Sequence, residues 1–340
     1  MTNIDFSGIN VFWKVMEKLE KDELPGDDMW QELFSTPGYR TILVREFSPE
    51  FFKEKFSLAF MPSKAEERRN ALKSQKDTLY LPYYIRVQNM KSLIVRHLDS
   101  LDASLVFKKA LQAANLLLPS NLNDQKTECP NVSFIIFEND ARGYDPIVID
   151  ALASMEWGDI SFFLGHEFHH FFRNKLPFAL NFLDTGTIEA CLVNIVISIE
   201  SEGIADLINM DQECSTEPLT RRRDRYERLL ELVPESIRYL DDWVIHNYFR
   251  FPEIEEEKCK ALYTHITDSG HQVGYYMAKA ILRHFSKENL IATVGKPFSF
   301  LRLYQEAAEK EDGSIVFSEK VQKIFSHLEY KYTAKTDQAT

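Results

Sequence analysis

The chain has 340 residues, enough for a large core and one or two domains, and its formal net charge of −12 argues against a nucleic acid or an anionic membrane as partner. No stretch approaches the ~20 consecutive apolar residues of a membrane span. The first ten residues, Met-Thr-Asn-Ile-Asp-Phe-Ser-Gly-Ile-Asn, lack the basic and apolar regions of a signal peptide. Cys129, Cys191, Cys214 and Cys259 are widely spaced with no C-x-x-C pair, so the expectation is a cytoplasmic protein with free thiols.

Glycine is scarce and helical patterns dominate, so the expected fold is mainly α, of the α+β class. An amphipathic helix is expected over residues 10–24, stopped by Pro25-Gly26-Asp27-Asp28. Helices should follow at 29–34, 49–60, 64–77, 81–101 and 103–118. The polar stretch 119–130, with proline at both ends, is the best linker. It divides a helical N-terminal region (1–120) from a catalytic domain (131–330), with 331–340 as a polar tail. Good strand material occurs in Asn131-Val-Ser-Phe-Ile-Ile-Phe137 and Pro146-Ile-Val-Ile-Asp150, which are β-branched or aromatic runs bounded by turn formers.

The next helix carries the most informative motif, His166-Glu167-Phe168-His169-His170. Positions i and i+4 of a helix lie on one face, so His166 and His170 would present two imidazoles to one Zn²⁺. Glu167 would stand beside them as the base for an attacking water. Asp159 and Ser161 offer N-caps, and Ile160, Phe162, Phe163, Leu164, Phe168, Phe171 and Phe172 make the helix apolar nearly all round. Burying a glutamate and three histidines without partners would be costly, and a metal relieves that cost.

After a loop at 175–186, residues 187–210 read as a long buried helix. Within it Glu202-Gly-Ile-Ala-Asp206 sets two carboxylates one turn apart on a single face. Glu202 is the candidate third ligand. Asp206 would accept the Nδ1–H of a ligand histidine and hold its tautomer. The small residues Ser198, Ser201, Gly203 and Ala205 would let this helix approach the first closely. Glu200 competes as ligand, but it lies about 200° round the helix from Glu202 and has no carboxylate one turn on. Later helices are expected at 221–232, 234–248, 255–267, 273–285 and 298–309, after a loop at 211–220. The Arg221–Arg225 cluster is interleaved with acids and reads as a solvated face.

These motifs resemble a zincin of the gluzincin type, in which a second helix supplies a glutamate to the H-E-x-x-H pair. The likeness is closest to bacterial families described only as zinc-dependent peptidases, which carry the pentad, an E-G-x-A-D helix and a later G-Y-x-M-A segment, here Gly274-Tyr275-Tyr276-Met277-Ala278. It covers about residues 131–285. Metzincins fit poorly, because Arg173 and Leu176 stand where their Gly and His should be. The resemblance implies a small sheet before the pentad helix, with Ile147–Asp150 as the edge strand that holds an extended peptide. It also implies a donor for the oxyanion, for which Tyr275 and His271 are the candidates, Tyr275 preferred, with Tyr276 left open. The expected activity is a zinc-dependent hydrolase, most simply a peptidase acting on a peptide or protein substrate. The alternative is a helical binding protein with a structural zinc. The sequence is silent on oligomeric state.

Overall fold

Proline, serine and aspartate stops cut the chain into helices with one small sheet, and a computed structural model describes residues 4–74, 79–120, 129–184, 186–210, 217–250, 253–254, 256–266 and 270–333. The fold is mainly helical, as expected. Its contacts form two compact units, Met1–Lys108 with Glu128–Ser161, and Lys109–Thr127 with Phe162–Thr340. Most of the expected linker, 121–128, lies outside the described residues, as do 211–216 of the expected loop and 334–340 of the expected tail. Residues 331–333 are helical.

The first unit holds helices α1 (Ser7–Glu20), α2 (Asp27–Ser35), α3 (Pro37–Arg45), α4 (Pro49–Phe60), α5 (Ala65–Lys73) and α6 (Tyr80–Ser100), the start of α7 (Ala103–Asn115), and α8 (Ala151–Glu156). Pro49 opens α4 from a position where its missing N–H costs nothing, and Ser48 Oγ caps it by accepting from Phe51 N at 3.1 Å. Aromatic side chains fill this core: Phe56 meets Phe12 edge-on at 5.1 Å and Tyr84 at 5.0 Å.

The sheet belongs to this unit. Its strands are β1 (Ile4–Asp5), β2 (Val132–Ile135), β3 (Ala141–Arg142) and β4 (Ile147–Asp150), in the order β1-β2-β4-β3. The expectation that Ile147–Asp150 is an edge strand is corrected. It pairs parallel with β2 and antiparallel with β3, and every residue of β2 and β4 is buried. Runs of apolar residues without alternation suit interior parallel strands, and the short β1 and β3 take the edges instead. Asp150, at the end of β4, accepts from Leu152 N (2.9 Å), Ala153 N (3.0 Å), Phe137 N (3.0 Å) and the Tyr83 hydroxyl, capping α8.

The second unit holds the rest of α7, then α9 (Ile160–Asn174, nearly all within this unit), α10 (Ile188–Asn209), α11 (Glu217–Leu230), α12 (Val233–Asn247), α13 (Glu256–His265), α14 (His271–His284), α15 (Lys287–Ile291), α16 (Pro297–Ala308) and α17 (Glu319–Thr333). Almost the whole of α10 is buried. It meets α14 backbone to backbone: a Cβ on Gly203 would lie 2.2 Å from the Gly274 carbonyl carbon, and one on Gly274 would lie 2.0 Å from Ile199 O. Gly203 therefore serves the approach of α14 rather than that of the pentad helix.

The expectation of four free thiols is corrected as well. Cys191 of α10 and Cys259 of α13 form a disulfide. Cys129 is free and exposed, and Cys214 lies outside the described residues. The two bonded cysteines are 68 residues apart in sequence, so local spacing gave no sign of the pair.

Candidate metal centre

Helix α9 begins where Asp159 Oδ1 accepts from Ser161 N at 3.0 Å; Ser161 itself sits buried inside the helix rather than capping it. From there the helical repeat carries His166, Glu167 and His169 into the interior, all buried. His169 is a structural residue. Its Nε2 faces Leu117 O at 3.3 Å, and burial, with the nearby His170 and His166, pushes its pKa well below the ordinary value.

His166, His170 and Glu202 come together as one compact donor group. His170 Nε2 lies 2.9 Å from His166 Nε2 and 3.1 Å from Glu202 Oε2, and His166 Nε2 lies 3.3 Å from the same oxygen. Tetrahedral zinc with bonds of ~2.05 Å separates its ligand atoms by about 3.3 Å. Two imidazole nitrogens and one carboxylate oxygen at this spacing therefore fit the corners of one face around such an ion. Two neutral imidazoles can make only one N–H···N bond between them, so the triangle is better completed by a cation than by hydrogen bonds alone.

The surrounding groups orient these donors. His170 Nδ1 lies in hydrogen-bond contact with Ser201 Oγ at 2.8 Å; the tautomer that donates through Nδ1 would leave the Nε2 lone pair for the centre. His166 Nδ1 lies 3.4 Å from Asp206 Oδ1, a little long for a hydrogen bond but in the direction expected for Asp206. Burial would raise the Glu202 carboxyl, but the charges of His170 and His271 and the hydrogen bonds of His166 and His170 outweigh it, holding the group well below the usual carboxylate range.

The two oxyanion candidates are placed differently. His271, at the start of α14, sets Nδ1 3.0 Å from Asp206 Oδ2 and Nε2 3.4 Å from Glu202 Oε2. It belongs to a second group with His166 and Asp206, outside the compact triad. Gly270, with φ of +97°, turns the chain into α14 so that this imidazole reaches the centre. Tyr275 is one turn on, its ring edge-on to Tyr226 at 5.6 Å. Tyr276 packs near Tyr304 at 6.4 Å. Side-chain exposure rises from His166 (6%) through His170 (12%) and Glu202 (23%) to His271 (32%), so the centre opens toward His271.

Glu200, the competing ligand, is fully buried and engaged elsewhere. Its Oε2 accepts from Arg173 Nη2 at 2.6 Å and Nε at 3.1 Å, and its Oε1 from Gly295 N at 2.9 Å. Two residues of the site were not anticipated in their roles. Ser201 was expected only as a small residue that eases helix approach, and it meets His170 as a polar partner. Tyr226, whose hydroxyl donates to Asp206 Oδ2 at 2.8 Å, sits directly after the arginine cluster that reads as a solvated face.

The profile of a family described as "Putative zinc dependent peptidase (DUF5700)" matches residues 30–313. The chain belongs to this family. Its description as zinc dependent agrees with the donor set at the centre, and zinc is the cofactor this protein is built to take. No curated protein and no solved structure gives a significant match. Among the described residues, no helix is long and apolar enough to cross a membrane.

Proposed function

We propose that the protein is a zinc peptidase of the gluzincin type, with His166 Nε2, His170 Nε2 and Glu202 Oε2 as the protein ligands. The observation that carries this reading is the triangle of three donor atoms, 2.9–3.3 Å apart, on the side of a centre that opens to solvent. A zinc ion bound there supplies Lewis acidity, polarising a scissile carbonyl and acidifying water near neutral pH. Glu167, adjacent to His166 in sequence and buried, accepts the proton of the attacking water and returns it to the leaving amine. His271, held through Nδ1 by Asp206, directs Nε2 toward the centre and in its doubly protonated form donates to the developing oxyanion. This geometry favours His271 over Tyr275 for that role.

A second reading rests on the same imidazole. If His271 Nε2 moved in as a fourth ligand, the centre would be closed and structural, and the protein a helical binding protein. Its place outside the compact triad favours the open, catalytic site. The two readings part on His271→Ala. In the catalytic reading the purified variant keeps about one zinc per chain and loses turnover. In the structural reading it loses the metal.

The Cys191–Cys259 bond bears on the compartment. The cytoplasmic expectation rested partly on free thiols, and disulfides persist mainly in oxidising surroundings. We therefore favour an oxidising compartment. Alkylation and mass analysis of protein purified from its native cells checks this reading, which predicts that Cys191 and Cys259 are protected until reductant is added. Ready labelling of both would restore the cytoplasmic reading.

A further inference from the structure

Asp206 is almost fully buried, and three groups converge on it from three different elements. His166 Nδ1 of α9 faces Oδ1 at 3.4 Å, while His271 Nδ1 of α14 and the Tyr226 hydroxyl of α11 both face Oδ2, at 3.0 and 2.8 Å. Both imidazoles depend on how one carboxylate is turned about its χ angles. A carboxylate held from a single direction can rotate, and because the two imidazoles face different oxygens a rotation shifts both contacts at once. The phenol supplies a further fixed point. Tyr226 is itself held, with its ring edge-on to Tyr275 at 5.6 Å and its hydroxyl 3.4 Å from the His271 carbonyl oxygen. Burial, and then the charge of Asp206, raises its pKa far above the ordinary range, so it remains a neutral donor.

We infer that Tyr226 is a positioning residue of the metal centre: its hydroxyl locks the Asp206 carboxylate in the one orientation that serves both the ligand His166 and the transition-state donor His271. The inference rests on the metal-site reading above. It identifies the tyrosine wired to the centre as Tyr226 of α11, not a residue of the Gly274–Ala278 segment. Outer partners of metal-bound histidines typically alter metal affinity by ~10- to 100-fold when removed. A residue that acts one bond further out, through Asp206, should sit near the lower end.

The test uses the full chain, stripped of metal and titrated with zinc alone against a competing chelator. Tyr226→Phe, which keeps the ring and its edge-on contact with Tyr275, should weaken zinc by about tenfold. The same variant loaded with Co²⁺ should give altered d–d bands, because the His166 ring is no longer held in register. Tyr263→Phe is the control. Tyr263 is another partly buried tyrosine, hydrogen-bonded to Ser198 of α10, and its loss should leave zinc affinity and the Co²⁺ spectrum unchanged. Because Tyr226 acts through Asp206, its effect should vanish in an Asp206→Asn background, a comparison that holds even if Tyr226→Phe folds poorly alone. Wild-type zinc affinity and an unchanged Co²⁺ spectrum in Tyr226→Phe would overturn the inference, whatever happened to the melting temperature. So would an equal loss with and without the Asp206 carboxylate. Failure of the metal-site reading looks different: His166→Ala and His170→Ala would then bind zinc as tightly as the wild type.

Discussion

Two residues apart on α10, Glu200 and Glu202 both leave the backbone into protein, yet their surroundings are finished in different ways. Around Glu200 every charge is answered by the chain itself. Arg173 takes one oxygen, the Gly295 N–H takes the other, and the remaining Arg173 Nη1 donates to Leu180 O at 2.9 Å and to Asn174 Oδ1 at 3.1 Å. Around Glu202 three imidazole nitrogens crowd a single oxygen, at 3.1, 3.3 and 3.4 Å. Two of them, His166 Nε2 and His170 Nε2, also lie 2.9 Å apart, too close for both to carry a proton, and a cation between them and the carboxylate suits this spacing. Burial of a carboxylate therefore does not mark a site in this protein. What sets Glu202 apart is the number of imidazole nitrogens facing one of its oxygens.

The comparison is broken most directly at the ligands. His166→Ala or His170→Ala should abolish tight zinc binding, read as metal per chain after dialysis, because two protein ligands cannot form the site. Full occupancy in both variants would mean that the triangle is not a metal site. Glu202→Gln should weaken zinc while the chain stays folded. Glu200→Gln should do the reverse, keeping the metal and costing stability, since an Arg173 left buried without its carboxylate is destabilising by about 3–5 kcal/mol. A lowered denaturation midpoint with normal zinc content is the expected readout, and zinc loss at position 200 with none at 202 would exchange the roles of the two residues.

A comparable effect on stability is expected from the Cys191–Cys259 bond, which ties α13 to the helix that carries Glu202. Closing a loop of this length is worth up to about 4 kcal/mol in the chain-entropy account. Unfolding curves with and without reductant measure it, and coincident curves would show that the bond contributes nothing. The gentlest test lies in the first unit, at Asp150. Burial pushes this carboxyl up to about 7, against the opposing hydrogen bonds from Tyr83, Ala153, Phe137 and Leu152. The folded state thus holds the proton more tightly than the unfolded chain, whose value is ~3.9. The stability this gives is complete below about pH 4 and is lost as pH rises through about 7, with a slope of at most about 1.4 kcal/mol per pH unit. Asp150→Asn should flatten that slope in denaturant titrations run across this range, and an unaltered slope would assign it to another group.

The sequence made the donor triangle proposed as the metal site legible because its geometry is local. His166 and His170 share a face by the helical repeat, as do Glu202 and Asp206, and each helix lies in a long, largely apolar run without proline. The partners that finish the site come from distant segments that no periodicity links. Tyr226 reaches Asp206 from behind an arginine cluster, and Ser201 turns toward His170 only once α9 and α10 are packed. The sheet was legible as strands but not as a topology. Continuous apolar runs indicate burial on both faces, yet the parallel pairing of β2 with both β1 and β4 depends on a two-residue strand at Ile4–Asp5 too short to show a pattern. Helix α3 was missed because it follows α2 after the single residue Thr36, so two short helices leave little room for a stop signal.

The central claim is that this centre is an open zinc site with Glu167 as its base. The most direct measurement compares cleavage of a broad peptide library by the wild type and by Glu167→Gln at matched zinc content. The account predicts chelator-sensitive cleavage by the wild type, and about one zinc per chain but almost no cleavage in the variant, since an amide cannot accept the proton. Equal cleavage by the two proteins, or none by a fully zinc-loaded wild type, would contradict it.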